Sequence, residues 1–174
     1  MNKKYELVVD DTISFLGKTL FRIKAKITFG NVKEGELGGY VEKESNLSHH
    51  DNAWVGDNAW VCDNAWVGGD AQVGDNAWVG GDAWVGGDAW VGGDARVGGD
   101  ARVESLRDYI IFKNNWSSGR YFTYTKSNKM WRVGCFYGTG QELVNKAYKD
   151  SEDSGKHYEA YVKFVEMLEE LENE

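Results

Sequence analysis

Residues 52–103 read NAWVGDNAWVCDNAWVGGDAQVGDNAWVGGDAWVGGDAWVGGDARVGGDARV, one six-residue phrase repeated about nine times with valine at every sixth position. A period of six with an aliphatic anchor is typical of a parallel β-helix, whose units bury their apolar side only by stacking on one another. Alternate side chains of a strand point to opposite faces, so in each AWV the alanine and valine point inward and the tryptophan points outward. Glycine, aspartate and asparagine turn the chain between strands at low steric cost. The stretch therefore predicts a narrow solenoid whose function lies on its outside or in its flanks.

The hexapeptides resemble those of left-handed β-helix proteins, in which glycine often follows an aliphatic residue and a small residue stands in the fifth place. Val55, Gly56 and Ala59 match this pattern, and the following repeats match it in turn. The resemblance implies a triangular coil of three hexapeptides, and hence a left-handed parallel β-helix of about three coils. A weak continuation of the register is found upstream at Val41, Ser45 and Leu47.

With 18 residues per coil, outward side chains that are 18 positions apart stack in ladders on three faces. The ladders are Trp54, Gln72 and Trp90; Trp60, Trp78 and Arg96; and Trp66, Trp84 and Arg102. Tryptophan therefore occurs on all three faces, whereas a dedicated flat binding array would concentrate one residue type on one face. A glycine or cysteine follows each indole at two positions on, and we expect the ring to lie across that vacant site.

Three interpretations of the outward rings stay open. Neighbouring rings can stack along the solenoid, which contributes about 0.5–1.5 kcal/mol per pair beyond area burial. They can form an interface for self-association as a trimer or dimer, since tryptophan is a favoured hot-spot residue. They can also serve as stacking platforms for a nucleotide or a sugar.

Corner aspartates stack in the same way, Asp70 over Asp88 and Asp82 over Asp100. Rows of carboxylates can attract a cation, but calcium-binding β-rolls use nine-residue repeats and the period here is six. We therefore interpret these aspartates as turn residues and predict neither a metal site nor a cofactor.

Many hexapeptide-repeat proteins are acyltransferases, an activity that requires a general base, usually histidine. Ser48 to Asp51 add two residues to the register, which predicts a small bulge that carries His49 and His50. No excursion interrupts residues 53–103, and the stack of coils is short for such an enzyme. We therefore predict no catalytic residue and interpret the histidine pair as exposed to solvent, with an acyltransferase that uses His49 or His50 as the alternative function.

Composition restricts the partners. The 174-residue chain has a formal net charge of -8 at pH 7, which disfavours nucleic acid as its main partner. Cys62 and Cys135 lie in different segments without a metal-type spacing, as in a reduced cytosolic protein. Met1 to Tyr5 leads into alternating residues, and no apolar run is long enough to cross a bilayer. We therefore expect no signal peptide and no membrane partner.

The flanks follow other patterns. Phe15 to Thr28 alternates about a Gly17-Lys18 turn, which predicts a β-hairpin that caps the first coil. After Val103 the repeat stops, and three antiparallel strands followed by two helices are predicted. The expected division is an N-terminal β cap (1–40), a hexapeptide-repeat β-helix (41–104) and a C-terminal β-β-β-α-α module (105–174).

The three strands of the C-terminal module are predicted at 109–113, 120–126 and 129–137. Thr139 to Glu142 has the pattern of a capping box, so a helix should begin there and continue to about Asp150. A second helix is predicted from about Lys156 to Glu172. Its apolar residues form one stripe: Tyr158, Tyr161, Val162, Val165, Leu168 and Leu171.

Several short motifs surround the repeats. LFRIKA at 20–25, GELGGYVE at 35–42 and NLS at 46–48 precede them, and GCF at 134–136 and GT at 138–139 follow. Their order resembles that of phage and prophage hexapeptide-repeat proteins, over nearly the whole chain. That family often has lysine or arginine where this chain has tryptophan, and tyrosine where it has glycine, so the ring has moved by two positions on the same face and basic charge is lost. The resemblance implies no catalytic residues.

The aromatic residues of the C-terminal module have two interpretations. Most of them suit the core of a small sheet under two helices. Some, with basic neighbours, would instead form a shallow pocket for an anionic ligand such as a nucleotide. The candidate pocket residues are Trp116, Arg120, Tyr124, Trp131 and Arg132.

We therefore expect a non-enzymatic binding protein of mainly β fold, derived from a phage and acting in the bacterial cytosol. The solenoid would be a rigid scaffold for homo-oligomerisation, and the C-terminal module would be the recognition element. Partners of two kinds are consistent with this: a host defence protein that the chain inhibits, or a small nucleotide signal that it sequesters. The candidate interface residues of the solenoid are Trp54, Trp60, Trp66, Trp78, Trp84, Trp90, Arg96 and Arg102.

Overall fold

The computed structural model describes residues 3–173. They form a parallel β-solenoid of about four turns, a small antiparallel sheet and two helices. The chain divides into two compact units, of which the first extends to Tyr109 and includes Thr125–Asn128, and the second holds Ile110–Tyr124 and continues from Lys129. Within the described residues, no helix is both long and apolar enough to span a membrane.

An antiparallel hairpin opens the first unit. Strand β1 (Tyr5–Phe15) pairs with β2 (Lys18–Ala25), and the two-residue turn is Leu16-Gly17, one position before the predicted turn. Both turn residues have positive φ, 48° and 79°, as a two-residue hairpin turn requires. The pairing extends back to Tyr5, so the hairpin is longer than predicted. Its second strand pairs with β3 (Leu37–Val41), and β3 is already part of the solenoid.

Nine two-residue strands, β4 to β12, recur at every sixth residue. They are Trp54–Val55, Trp60–Val61, Trp66–Val67, Gln72–Val73, Trp78–Val79, Trp84–Val85, Trp90–Val91, Arg96–Val97 and Arg102–Val103. Parallel pairing gives three sheets: β3-β5-β8-β11 with the hairpin at one edge, β4-β7-β10, and β6-β9-β12. Paired residues are 18 positions apart, as Trp60 with Trp78 and Trp66 with Trp84, so the predicted ladders are confirmed.

The solenoid has about one turn more than the three that the sequence predicts. Tyr40 pairs with Trp60, and Leu47 forms an isolated parallel bridge with Val67. These residues are 20 positions apart because the bulge at 48–51 inserts two residues. The weak register upstream of the repeats therefore adds two rungs, which complete a first coil together with Val55.

The interior is as predicted, since the valine and alanine of every repeat are at most 1% exposed. Each corner contains one residue with positive φ, and these residues are six positions apart. The residue is either an aspartate, as Asp57, or the second glycine of a pair, as Gly81. Carboxylates satisfy backbone amides of the next coil: Asp57 Oδ2 accepts from the N–H of Asp75 at 3.1 Å, and Asp75 Oδ2 accepts from the N–H of Gly93 at 2.7 Å. Aspartates at the corners thus act as turn residues that connect coils.

Four strands, where the sequence predicts three, form the second sheet: β13 (Tyr109–Lys113), β14 (Tyr121–Thr125), β15 (Met130–Val133) and β16 (Phe136–Gly138), in that order. The extra strand arises because Gly134, with φ 58°, turns the chain inside the predicted third strand. Helices α1 (Gly140–Asp150) and α2 (Glu152–Glu172) follow.

Both helices begin at caps. The capping box is confirmed, since Thr139 Oγ1 accepts from the N–H of Glu142 at 3.3 Å and Glu142 Oε2 accepts from the N–H of Thr139 at 2.8 Å. Helix α2 begins four residues before the predicted Lys156, because the Ser151 side chain caps it by accepting from the N–H of Ser154 at 3.0 Å.

Candidate binding surfaces

The outward tryptophans lie across neighbouring glycines, as their spacing predicts. A Cβ built on Gly68, Gly80 or Gly86 would overlap the ring of the tryptophan two residues before it. Trp54 is different, because a Cβ on Gly56 would stand 3.6 Å from its nearest ring atom. The rings of Trp66, Trp78 and Trp84 therefore extend along their strands into the space that the missing Cβ atoms leave.

Other elements cover part of the ladders. Trp54 is only 4% exposed, and its ring meets Phe29 edge-on at 5.5 Å between centroids. Trp60 packs against Phe15 of the hairpin at 5.0 Å. The six rings therefore expose less apolar surface than the sequence suggests, and the ring left most open is Trp90, at 52%.

One ladder contains a parallel ring stack. Trp66 and Trp84 have centroids 5.3 Å apart and planes at 12°. Arg102 continues this ladder below Trp84, and Arg96 continues the neighbouring ladder below Trp78. Both arginines are exposed. Each of these two faces therefore changes from aromatic to basic along the solenoid.

The two histidines of the bulge differ from each other. His50 is exposed, as predicted, whereas His49 is half-buried, so the prediction of an exposed pair is wrong for His49. Its ring stacks on Tyr5 at 4.3 Å, an arrangement hidden in the sequence because 44 residues separate the two. Nδ1 lies 3.3 Å from the backbone N–H of Lys4 and Nε2 lies 3.1 Å from Glu44 Oε1. Nδ1 is therefore the acceptor, Nε2 carries the proton, and both ring nitrogens have partners.

Glu44 connects this histidine to the N-terminus of the solenoid. Lys3 Nζ lies 2.7 Å from Glu44 Oε1, and this contact, with a smaller contribution from His49, holds the pKa of Glu44 below its usual value. The Tyr5 hydroxyl donates to the carbonyl oxygens of Glu44 at 2.6 Å and Leu47 at 2.9 Å. A general base needs a free lone pair, and His49 already uses its own for a backbone amide.

One group of metal-type ligands occurs within residues 3–173: Glu42, Cys62 and Asp63. The Lys18 ammonium lies 3.3 Å from Glu42 Oε2 and also contacts Asp63 Oδ1. Burial raises the pKa of Cys62 to about 12, so the thiol stays protonated at neutral pH. The lysine thus supplies the positive charge that this acidic cluster needs.

Of the five residues predicted for a C-terminal pocket, Tyr124 and Trp131 meet, with ring centroids 5.0 Å apart, but the five do not form one pocket. Tyr124 and Trp131 are buried in the core between the sheet and the helices. The Tyr124 hydroxyl donates to Glu169 Oε1 at 2.6 Å, and burial, followed by this carboxylate, raises the pKa of the phenol. Arg132 follows Trp131 in the same strand and so lies on the opposite face of the sheet. Strand alternation therefore separates the predicted pocket into two faces.

The outer face of this sheet pairs cations with rings. Lys113 Nζ lies 5.3 Å from the ring centroid of Tyr121, and Arg132 Cζ lies 5.8 Å from that of Tyr137. Both distances are within the range of cation–π attraction. These four residues come from β13, β14, β15 and β16 in turn, so the face is basic and aromatic across its whole width.

Trp116 and Arg120 belong to the loop between β13 and β14. Trp116 is 77% exposed, although its loop is firmly held by Asn114, which is 0% exposed. Asn114 Oδ1 accepts from the backbone N–H of Trp116 and of Ser117, both at 3.1 Å. Its Nδ2 donates to Ser117 Oγ at 2.7 Å, and its carbonyl oxygen accepts from the N–H of Gly119, also at 2.7 Å. The loop thus presents a large apolar side chain on a backbone that hydrogen bonds hold in place.

Neither a protein-family model nor a curated protein matches this sequence.

Proposed function

We propose that this chain is a non-enzymatic protein-binding protein whose recognition element is the loop 114–119. The solenoid serves as a rigid scaffold that also associates with copies of itself. The observation that carries the proposal is the 77% exposure of Trp116 on a loop that a fully buried asparagine holds in place.

An exposed tryptophan on a loop of ordered backbone is well suited to anchor a partner. Tryptophan and arginine are enriched among the few interface residues that carry most binding energy. Because Asn114 already orders the loop through its own hydrogen bonds, binding costs less ordering entropy. Trp116 would enter an apolar pocket of the partner, with Arg120 beside it.

The charge around the loop indicates the chemistry of the partner. Arg120 and Lys113 are exposed, and the outer face of the sheet adds Arg132. This basic surface, on a chain with a net charge of -8, favours acidic groups around the pocket of the partner. The resemblance to phage proteins supports a host defence protein in the bacterial cytosol as the partner. The left hand of the solenoid, also a proposal, rests on the resemblance of its hexapeptides to those of left-handed β-helix proteins.

The full-length chain with Trp116→Ala tests this proposal. A partner retained from bacterial lysate would be purified, and its affinity measured by calorimetry for the wild type, Trp116→Ala and the control Phe164→Ala, which removes an exposed ring of α2. Loss of a hot-spot tryptophan costs at least about 2 kcal/mol, so about 30-fold weaker binding is expected for Trp116→Ala alone. Equal affinities of Trp116→Ala and the wild type would refute the loop as the anchor.

The histidine pair tests the non-enzymatic part. His49→Ala with His50→Ala should leave the affinity for the partner unchanged. If the chain has a chemical activity that this double variant loses while its circular dichroism is unchanged, the proposal fails in favour of an enzyme.

A further inference from the structure

A groove of about 760 Å³ lies against Trp66 in the first unit. Its volume is in the usual range of small-molecule sites, about 300–1,000 Å³. The lining residues are Lys3, Glu44, Ser45, Leu47, Ser48, His49, His50 and Trp66. The groove thus combines an indole with charged and hydroxyl groups.

The groove opens on one particular face of the Trp66 ring. Trp84 of the next coil stacks on the ring at 5.3 Å and does not line the groove. All other lining residues belong to the preceding coil, to the bulge or to the start of the chain. The open face is therefore opposite Trp84, where one more ring would continue the stack.

The preceding coil leaves this position without a ring. The bridge between Leu47 and Val67 places Asn46 above Trp66. Asn46 is buried, and its side chain turns into the corner, where Nδ2 donates to the carbonyl oxygens of Ala65 at 2.8 Å and Asp63 at 3.2 Å. Among residues 3–173, the ring contact of Trp66 is the one with Trp84. One face of a stacking platform is thus left open inside a groove.

We propose that this groove binds a nucleobase, which stacks on Trp66 and takes the position that the ladder leaves empty. Flat heteroaromatic rings suit such a platform because each has a π-face of similar size to the indole. The polar groups fit the edge of a base, since the Glu44 carboxylate accepts from ring N–H and amino groups and the hydroxyls of Ser45 and Ser48 both donate and accept. The Lys3 ammonium, with 57% of its side chain exposed, lies beside Glu44 at the rim and can reach a phosphate.

The test is a calorimetric titration of the full chain with guanosine, adenosine, cytidine and the corresponding monophosphates. Stacking of a base on one aromatic side chain is worth about 5- to 150-fold in affinity, so Trp66→Ala should weaken binding by at least about 5-fold. The matched control is Trp78→Ala, which removes a ring over Gly80 on another face and should change affinity less than about 2-fold.

A second variant keeps the test independent of any effect of Trp66 on folding. Ser48→Trp fills the groove with a ring of its own, so it should abolish binding while its thermal unfolding remains cooperative. Tighter binding of monophosphates than of nucleosides would assign the phosphate contact to Lys3, and equal binding would assign recognition to the base; both support the proposal.

Three results would overturn it: no binding of any of these compounds by the wild type, wild-type affinity in Trp66→Ala, or wild-type affinity in Ser48→Trp. The inference does not rest on the proposed function, because the groove is in the first unit and Trp116 is in the second. Trp66→Ala therefore tests the groove and Trp116→Ala tests the loop, and either proposal can fail without the other.

Discussion

Three glycines of the solenoid, Gly68, Gly80 and Gly86, give space to the ring of the tryptophan two positions before them. The indoles of Trp66, Trp78 and Trp84 cover backbone that would otherwise be bare, and the missing Cβ atoms allow them to do so. The tryptophan and the glycine are therefore one packing unit, and neither can be replaced alone without cost.

The pair Gly68→Ala and Gly56→Ala measures this cost. Neither glycine has positive φ, but a Cβ at 68 would overlap the Trp66 ring, whereas one at 56 would stand 3.6 Å from Trp54. Gly68→Ala should force the ring outward and lower the free energy of unfolding by about 1–2 kcal/mol through lost packing. Gly56→Ala should change it by less than about 0.5 kcal/mol. Urea denaturation of both variants gives the comparison, and equal losses would mean that the rings do not depend on the glycines.

At the scale of elements, how far the sequence predicts the fold depends on periodicity. From Trp54 to Val103 a period of six and strand parity fix which side chains are buried and which stack. The fourth strand of the second sheet could not be predicted, because Val133 and Phe136 on either side of Gly134 continue an apolar pattern. Alternation about Gly17 predicts the hairpin, but its pairing back to Tyr5 depends on contacts with residues about 40 positions away.

The candidate sites show the same limit. Trp116 and Arg120 could be selected from residue type, and they do lie in one loop. Residue type also groups Trp131 and Arg132 with them, although adjacent residues of a strand must face opposite sides. The groove at Trp66 could not be predicted, because Lys3 and Glu44 meet only once the first coil has formed.

The end of the solenoid is closed by one buried lysine. Lys4 Nζ donates to the carbonyl oxygens of Ala53 at 2.8 Å and of His50 and Asp51, both at 3.3 Å. It also lies 4.6 Å from the centre of the Phe29 ring. Burial lowers the pKa of this lysine from 10.5 to about 8. The first coil thus uses an ammonium where later coils use the backbone N–H groups of the preceding turn, as Trp54 N–H donates to the carbonyl oxygen of Ala71.

This lowered pKa predicts how stability depends on pH. Below pH 8 Lys4 is protonated in both the folded and the unfolded chain, so it adds no pH dependence. Between pH 8 and 10.5 the unfolded chain binds more protons, so the contribution of Lys4 to the free energy of unfolding rises with pH, by about 2 kcal/mol up to pH 10.

The difference between the wild type and Lys4→Met isolates this effect. Cys62, whose pKa is raised, is present in both proteins and cancels. Urea denaturation at pH 7.5 and pH 10 should show that the wild type gains about 2 kcal/mol relative to the variant. A difference that stays constant over this range would contradict the lowered pKa.

At the scale of the whole molecule, the three faces of the solenoid differ in how far other elements and stacked rings cover them. The hairpin extends the face of β3, β5, β8 and β11, and the ring stack of Trp66 and Trp84 lies on the face of β6, β9 and β12. The remaining face, of β4, β7 and β10, carries Trp90, the most exposed of the six outward rings of the solenoid. Leu37, which is 54% exposed, lines the same shallow groove as Trp90.

We expect copies of the chain to associate through this face, because an exposed tryptophan next to an exposed leucine is the kind of surface that self-association buries. Light scattering at micromolar concentration should give a dimer or trimer of the 19.6 kDa chain. Trp90→Asp places a charge in the contact and should shift the mass to that of the monomer. Arg96→Asp, on another face, should not. A monomeric wild type, or an oligomer that survives Trp90→Asp, would show that this face is not the interface, and the solenoid would then act as a scaffold within a single chain.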